Sequence, residues 1–161
     1  MTATGSETFT LTMSGDREVV MTRALDAPRA LVFEAHSSCE HVSRWWGRRG
    51  DTMASCEMDF RAGGRWRYAL RGADGAEFGF RGEYREVTPV ERITWTFEFE
   101  GFPGHASVET ISFDERDGKT FATARSVFDS AEDRDGMVAS GMEGGARETW
   151  DRLDELLAAL S

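Results

Sequence analysis

Apolar and polar residues alternate along much of the chain, and where the alternation stops the spacing becomes that of a helix. TFTLTM and REVVMTRAL, separated by SGD, carry the period-two pattern of half-buried strands. Asp26, Ala27 and Pro28 then offer a cap and a first-turn proline, which predicts two short helices, roughly over 28–36 and 39–47. MASCEMDF, GRWRYALRG, EFGFRGEYREV, RITWTFEFE, HASVETISFD and KTFATARSVFD follow, punctuated by glycine and spaced as consecutive antiparallel strands. The period changes again in MVASGMEGGARETWDRLDELLAAL. There Val138, Met142, Ala146, Trp150 or Thr149, Leu153, Leu157 and Leu160 fall on one stripe, as in a long amphipathic helix.

This order predicts one α+β domain over residues 1–161. Its sheet is a curved antiparallel one of about six or seven strands, wrapped around the long C-terminal helix, with two short helices after the first strand. A single helix stripe and a single sheet bury each other only if the sheet curls, and a curled sheet readily leaves a cavity. Parity then selects the inward side chains: Trp66, Tyr68 and Leu70, then Phe78 and Phe80, then Ile93, Trp95, Phe97 and Phe99. Their neighbours Arg65, Arg67, Arg71, Glu98 and Glu100 are charged, which supports the assignment. Aromatics at alternate strand positions are more often plain core than pocket wall. Gly136, Gly141, Gly144 and Gly145, at the start of or inside the last helix, ask for either close packing or free volume beside them, since each costs about 1 kcal/mol relative to alanine.

Charge and cysteine usage narrow the partners. A formal net charge of −10, from 29 acidic and 19 basic residues, disfavours nucleic acid and anionic membrane. Two cysteines without a CxxC spacing suggest neither a disulfide framework nor a zinc site, and they fit a reducing compartment. With no signal-peptide pattern and no long apolar run, a soluble cytoplasmic protein is expected.

The stretch HSSCEHVSRWWGRRG concentrates candidate ligands, yet His41 is about 140° around a helix from His36, so these residues do not converge on a metal. Cys39, Val42 and Trp46 instead read as a buried face, and no metal site is expected. GxSxG, HExxH and a phosphate-binding glycine loop are absent; the Gly79 to Gly82 stretch lacks strand-turn-helix context. No catalytic residue and no cofactor is assigned.

At this point the residues carry a resemblance. DAPRALVFEAHSSCEHVSRWWG, DFRAGGRWRY, FRGEYREVTPVERITWTF and FDSAEDRDGMVASGMEGGARETWDRL together resemble the family similar to the activator of the 90-kDa heat-shock chaperone's ATPase. That family lies in the SRPBCC superfamily with the helix-grip fold, alongside START lipid-transfer domains and polyketide cyclases. The likeness runs from about residue 8 to residue 160. It implies the helix-grip architecture, with Trp45 and Trp46 closing one end of a cavity. It also implies that His41 is a structural position and that Cys39 stands where relatives have proline. Ala146 replaces a tryptophan common in relatives, which implies a larger pocket. Glu109 occupies a strand position often apolar in relatives, and parity puts it inward with His105, Ile111 and Phe113. Such a carboxylate acts as an acid, base or ligand anchor, or else sits at the rim or forms an ion pair with Arg147 or Arg152.

The expected function is therefore binding of a small hydrophobic or amphipathic ligand between sheet and helix, at Trp46, Trp66, Tyr68, Phe80, Trp95, Phe97, Glu109, Ile111, Met142 and Ala146. A cyclase-like or hydrolase-like enzyme using Glu109, His105 or Tyr68 is the second reading. The third, implied by the resemblance alone, is a co-chaperone that stimulates the chaperone's ATPase. A homodimer is left open.

Overall fold

The computed structural model describes residues 9–160. Thr8, the first residue of the strand expected at TFTLTM, and the two ends of the expected domain lie outside the described residues. Eight strands are present: β1 (Thr10–Ser14), β2 (Glu18–Leu25), β3 (Thr52–Met58), β4 (Arg65–Arg71), β5 (Glu77–Thr88), β6 (Arg92–Phe99), β7 (Ser107–Arg116) and β8 (Lys119–Val127). Helices α1 (Arg29–Ala35) and α2 (Cys39–Val42) follow β2, and α3 (Ala131–Ala139) and α4 (Met142–Leu160) close the chain. The strands form one antiparallel sheet in the order β1-β2-β8-β7-β6-β5-β4-β3. The α+β helix-grip architecture expected from the sequence is thus present, with eight strands rather than six or seven and with both short helices after the second strand.

Period-two burial explains the sheet. On β2, Val19, Met21, Arg23 and Leu25 are buried in strict alternation. On β8, Thr120, Ala122, Ala124 and Ser126 are buried the same way. The core gathers these residues with Val32 and Ala35 of α1, Ile111 and Phe113 of β7, and Trp150, Leu153, Leu156 and Leu157 of α4. Burying a Leu-sized side chain is worth about 1.5–3 kcal/mol, so the second half of α4 carries much of what fixes the helix to the sheet. Leu156, absent from the expected stripe, is among its buried residues.

Three local expectations are corrected. The last helix is not continuous: it starts earlier, at Ala131, and breaks at Ser140–Gly141, where Gly141 takes φ +99 and an L side chain would be strained. Helix α2 ends at Val42 rather than 47, and the residue buried fully beyond it is Trp45, not Trp46. The Trp45 indole N–H donates to the Ala35 carbonyl at 2.9 Å, which satisfies its one polar atom inside the core. Finally, Cys39 and Cys56 form a disulfide between α2 and β3 with Cα atoms 5.9 Å apart. Neither cysteine is a free thiol, so the ground on which a reducing compartment was expected is removed.

Candidate functional site

The site is built on the inward faces of β4, β5, β6 and β7. Period two places Trp66 and Tyr68 on one side of β4, Phe80 on β5, and Trp95 and Phe97 on β6. Trp46, arriving through the turn after α2, meets them: its ring lies 4.9 Å from Tyr68, 5.0 Å from Phe80 and 6.4 Å from Phe97. Phe80 stacks on Phe97 at 5.6 Å, and Trp66 lies 4.6 Å from Tyr68 and 6.0 Å from Phe97. Five of the ten expected site residues thus form one continuous aromatic wall.

Gly82 shapes this wall. A Cβ there would lie 1.8 Å from the Thr96 carbonyl oxygen and 2.6 Å from the Trp66 indole nitrogen. Glycine lets the Trp66 ring cross β5 and donate its N–H to Thr96 on β6 at 3.2 Å.

Burial grades the members. Trp66, Tyr68 and Ile111 are buried, whereas Trp46, Phe80, Trp95, Phe97, Met142 and Ala146 are half-buried. Ile111 belongs to the central core, and Met142 and Ala146 pack against it from the first half of α4. Phe78, assigned inward by parity, is exposed at 39%, because it sits at the start of β5 where the sheet ends. The open side of the helix glycines is split: nothing lies within 4 Å of a Cβ on Gly136 or Gly144, while the Arg48 guanidinium would lie 3.2 Å from a Cβ on Gly141 and 3.0 Å from one on Gly145.

Glu109 does point inward, with Ser107, Ile111 and Phe113 buried at the same parity on β7. Its Oε2 accepts a hydrogen bond from Ser126 Oγ at 2.8 Å, and burial pushes its pKa above the usual carboxylate range, partly offset by that bond. Ser126 went unnoticed in the sequence, although the alternation of Thr120, Ala122, Ala124 and Ser126 places it on the same face. An ion pair with Arg152 does not form: that guanidinium donates to the carbonyls of Arg44, Gly47 and Arg48. Arg147 pairs with Glu143 and lies over the Phe9 ring.

His105 is not an inward residue. It precedes β7, is exposed, stacks on Phe102 at 3.9 Å and bonds Asp133 of α3 at 2.9 Å. Tyr68 interacts with Tyr84, and burial holds both phenols in their neutral form, Tyr84 up to about 12. Since β4 and β7 are separated by two strands, about 14 Å at the usual spacing, Tyr68 and Glu109 do not form one acid–base pair. His36 is core: its Nδ1 lies 2.8 Å from the Val32 carbonyl, between Trp45 and Phe113. Among the described residues no cluster of three or more His, Cys, Asp or Glu has metal-binding geometry.

A groove of about 470 Å³ opens beside Trp66 and Gly82 and is otherwise lined by the charged residues Glu57, Arg65, Arg67, Arg81, Glu83 and Glu98. Its charges balance, and Arg81 pairs with Glu98 across it at 3.3 Å. No single-sign ligand is favoured there.

Residues 26–158 match the profile of the family described as Activator of Hsp90 ATPase homolog 1-like protein. No curated protein matches the sequence. Among solved structures, a Rhodobacter sphaeroides protein is similar at 22% identity and a TM-score of 0.88, over 94% of this chain and 98% of its own. A protein from Arthrobacter aurescens is similar at 21% identity and 0.83, over 93% and 91%. An AHSA1 protein from Silicibacter pomeroyi follows at 18% identity and 0.74, over 89% and 99%. These likenesses concern the fold. No helix among the described residues is long and apolar enough to cross a membrane.

Proposed function

We propose, since the chain belongs to the Activator of Hsp90 ATPase homolog 1-like protein family, that it acts as a single domain enclosing a small apolar or amphipathic molecule between the concave face of its sheet and the C-terminal helices. One observation carries this reading. Trp46, Phe80, Trp95 and Phe97, large side chains on the inward side, remain half-buried, while Trp66, Tyr68, Ile93 and Ile111 beside them are buried. A core that closed on itself would bury its largest rings first, because each removes 150–250 Å² from water. Partly covered rings facing inward are the lining an apolar ligand would complete. Ala146, half-buried on α4, contributes to that space by its small size.

Native mass spectrometry of the protein as purified, and after exposure to lipid, flavonoid and polyketide mixtures, tests the reading. A reproducible small-molecule adduct is expected, and it should disappear in Ala146→Trp, which places a ring where the ligand would lie. If neither protein ever carries an adduct while another protein co-purifies, the enclosed-ligand reading is wrong and the chaperone link in the family's name becomes the one to test.

A further inference from the structure

Glu109 is out of keeping with an apolar wall. It stands on β7 in register with Trp95 on β6 and Ser126 on β8. Ser126 is its only polar partner among the described residues, and that bond engages Oε2. Only His41 Nδ1 is both fully enclosed and unpartnered among the described side-chain nitrogens and oxygens, so Glu109 Oε1, which has no partner, is not sealed off by protein. Glu109 shares its face of β7 with the buried Ile111 and Phe113, which puts its carboxylate on the concave side of the sheet.

Glu109 is half-buried with no countercharge among its bonded partners, and desolvation raises its pKa above the usual carboxylate range. The buried guanidiniums elsewhere are already engaged: Arg23 with Asp151 and Asp154, Arg134 with Asp135 and the carbonyls of Gly15 and Glu18.

We infer that Glu109 is the polar anchor of the inward face and that the molecule held there carries a basic nitrogen on an apolar or aromatic body. The inference rests on the enclosed-ligand reading above and adds the ligand's charge to it. An ammonium group would neutralise the carboxylate through a charge-assisted bond to Oε1, about twice as strong as a neutral one. Ring faces such as that of Trp95, Glu109's partner across the β6–β7 ladder, favour a cation in addition. A carboxylate or phosphate ligand would meet repulsion at the same place. At long range the net charge of −10 draws cations toward the protein and repels anions.

Three probes with one apolar body and different heads separate the possibilities: naphthylethylamine, naphthylethanol and naphthylacetate, titrated by calorimetry at neutral pH into the wild type, Glu109→Gln and Glu109→Asp. The amine is expected to bind the wild type at least about tenfold more tightly than the alcohol, with the acetate weakest. That preference should vanish in Glu109→Gln and survive in part in Glu109→Asp, which keeps the charge. The alcohol should bind all three proteins alike, which also shows that the variants are folded. An amine preference that is absent from the wild type, or that persists undiminished in Glu109→Gln, overturns the inference while alcohol binding leaves the enclosed-ligand reading standing. Failure of all three probes to bind the wild type overturns both.

Discussion

At the scale of single residues, polar groups inside the sheet are held by specific partners, and His36 shows the consequence most directly. The ring is buried between Trp45 and Phe113 with no carboxylate bonded to it, so only the Val32 carbonyl offsets a positive charge there. Burial lowers its pKa from 6.5 to about 4, although the bond to the Val32 carbonyl opposes the shift. Because the folded value lies below the unfolded one, the unfolded chain binds the proton first as pH falls. The contribution is complete above pH 6.5 and is lost as pH falls toward 4, in total about 3 kcal/mol. Urea denaturation at a series of pH values between 7.5 and 4 is expected to show this loss in the wild type, reduced by about that amount in His36→Phe. Equal pH slopes in the two proteins, or a ring that titrates near 6.5 by NMR in the folded state, would contradict the assignment.

At the scale of elements, the disulfide joins a very short helix to a strand that is paired on one side only. Helix α2 is four residues long, and β3 is one of the two edge strands of the sheet, mostly exposed, with an irregular register to β4 between Met53 and Ser55. The bridge closes a loop with a sequence separation of 17, for which the chain-entropy account gives about 3 kcal/mol. Reduction, or Cys39→Ser, should therefore lower the melting temperature by roughly 6–12 °C and increase amide exchange first in β3. A melting curve unchanged by reductant would show that the bridge contributes nothing to stability. The bridge was not legible in the sequence, since two cysteines without a motif reveal a partner only once α2 has folded against β3. The break at Gly141 was hidden differently: the apolar stripe runs through it in phase, and only the backbone shows the positive φ. By contrast the strands and the aromatic wall were readable, because parity alone assigns a face. Parity was insufficient only near the ends of strands: Phe78 pairs with Leu70 at the start of β5 yet stays exposed, and His105 precedes β7. Glu109 was correctly turned inward, but its partner Ser126 was overlooked on a strand whose other inward residues are so small.

At the scale of the molecule, the C-terminal helix is gripped unevenly along its length. From residue 148 onward it is bound on two sides. Arg23 of β2, 2% exposed, reaches Asp151 at 2.7 Å and Asp154 at 3.7 Å, while Thr149 and Arg152 donate to carbonyls of the segment between α2 and β3 that carries Trp45 and Trp46, the tryptophan loop, among them Gly47 at 3.1 Å. Arg49 adds a bond from its amide to Glu148 and an ion pair to Glu155, and all four buried residues of α4 lie in this part. The first turns contain Gly144 and Gly145, follow the joint at Gly141, and touch the tryptophan loop through Arg48, whose guanidinium donates to the Gly141 carbonyl at 3.2 Å. Local opening free energy follows buried contacts and hydrogen bonds, so the two halves should not open together. Hydrogen exchange measured by mass spectrometry is expected to show peptides spanning 150–160 protected nearly as long as β2 and β8, and peptides spanning 137–147 exchanging at least about tenfold faster. Uniform protection along α3 and α4 would mean that the helix opens as one body and only with the sheet. Unequal protection would place the flexible end beside Met142 and Ala146, so that a small ligand could enter without disturbing the strands that form its wall.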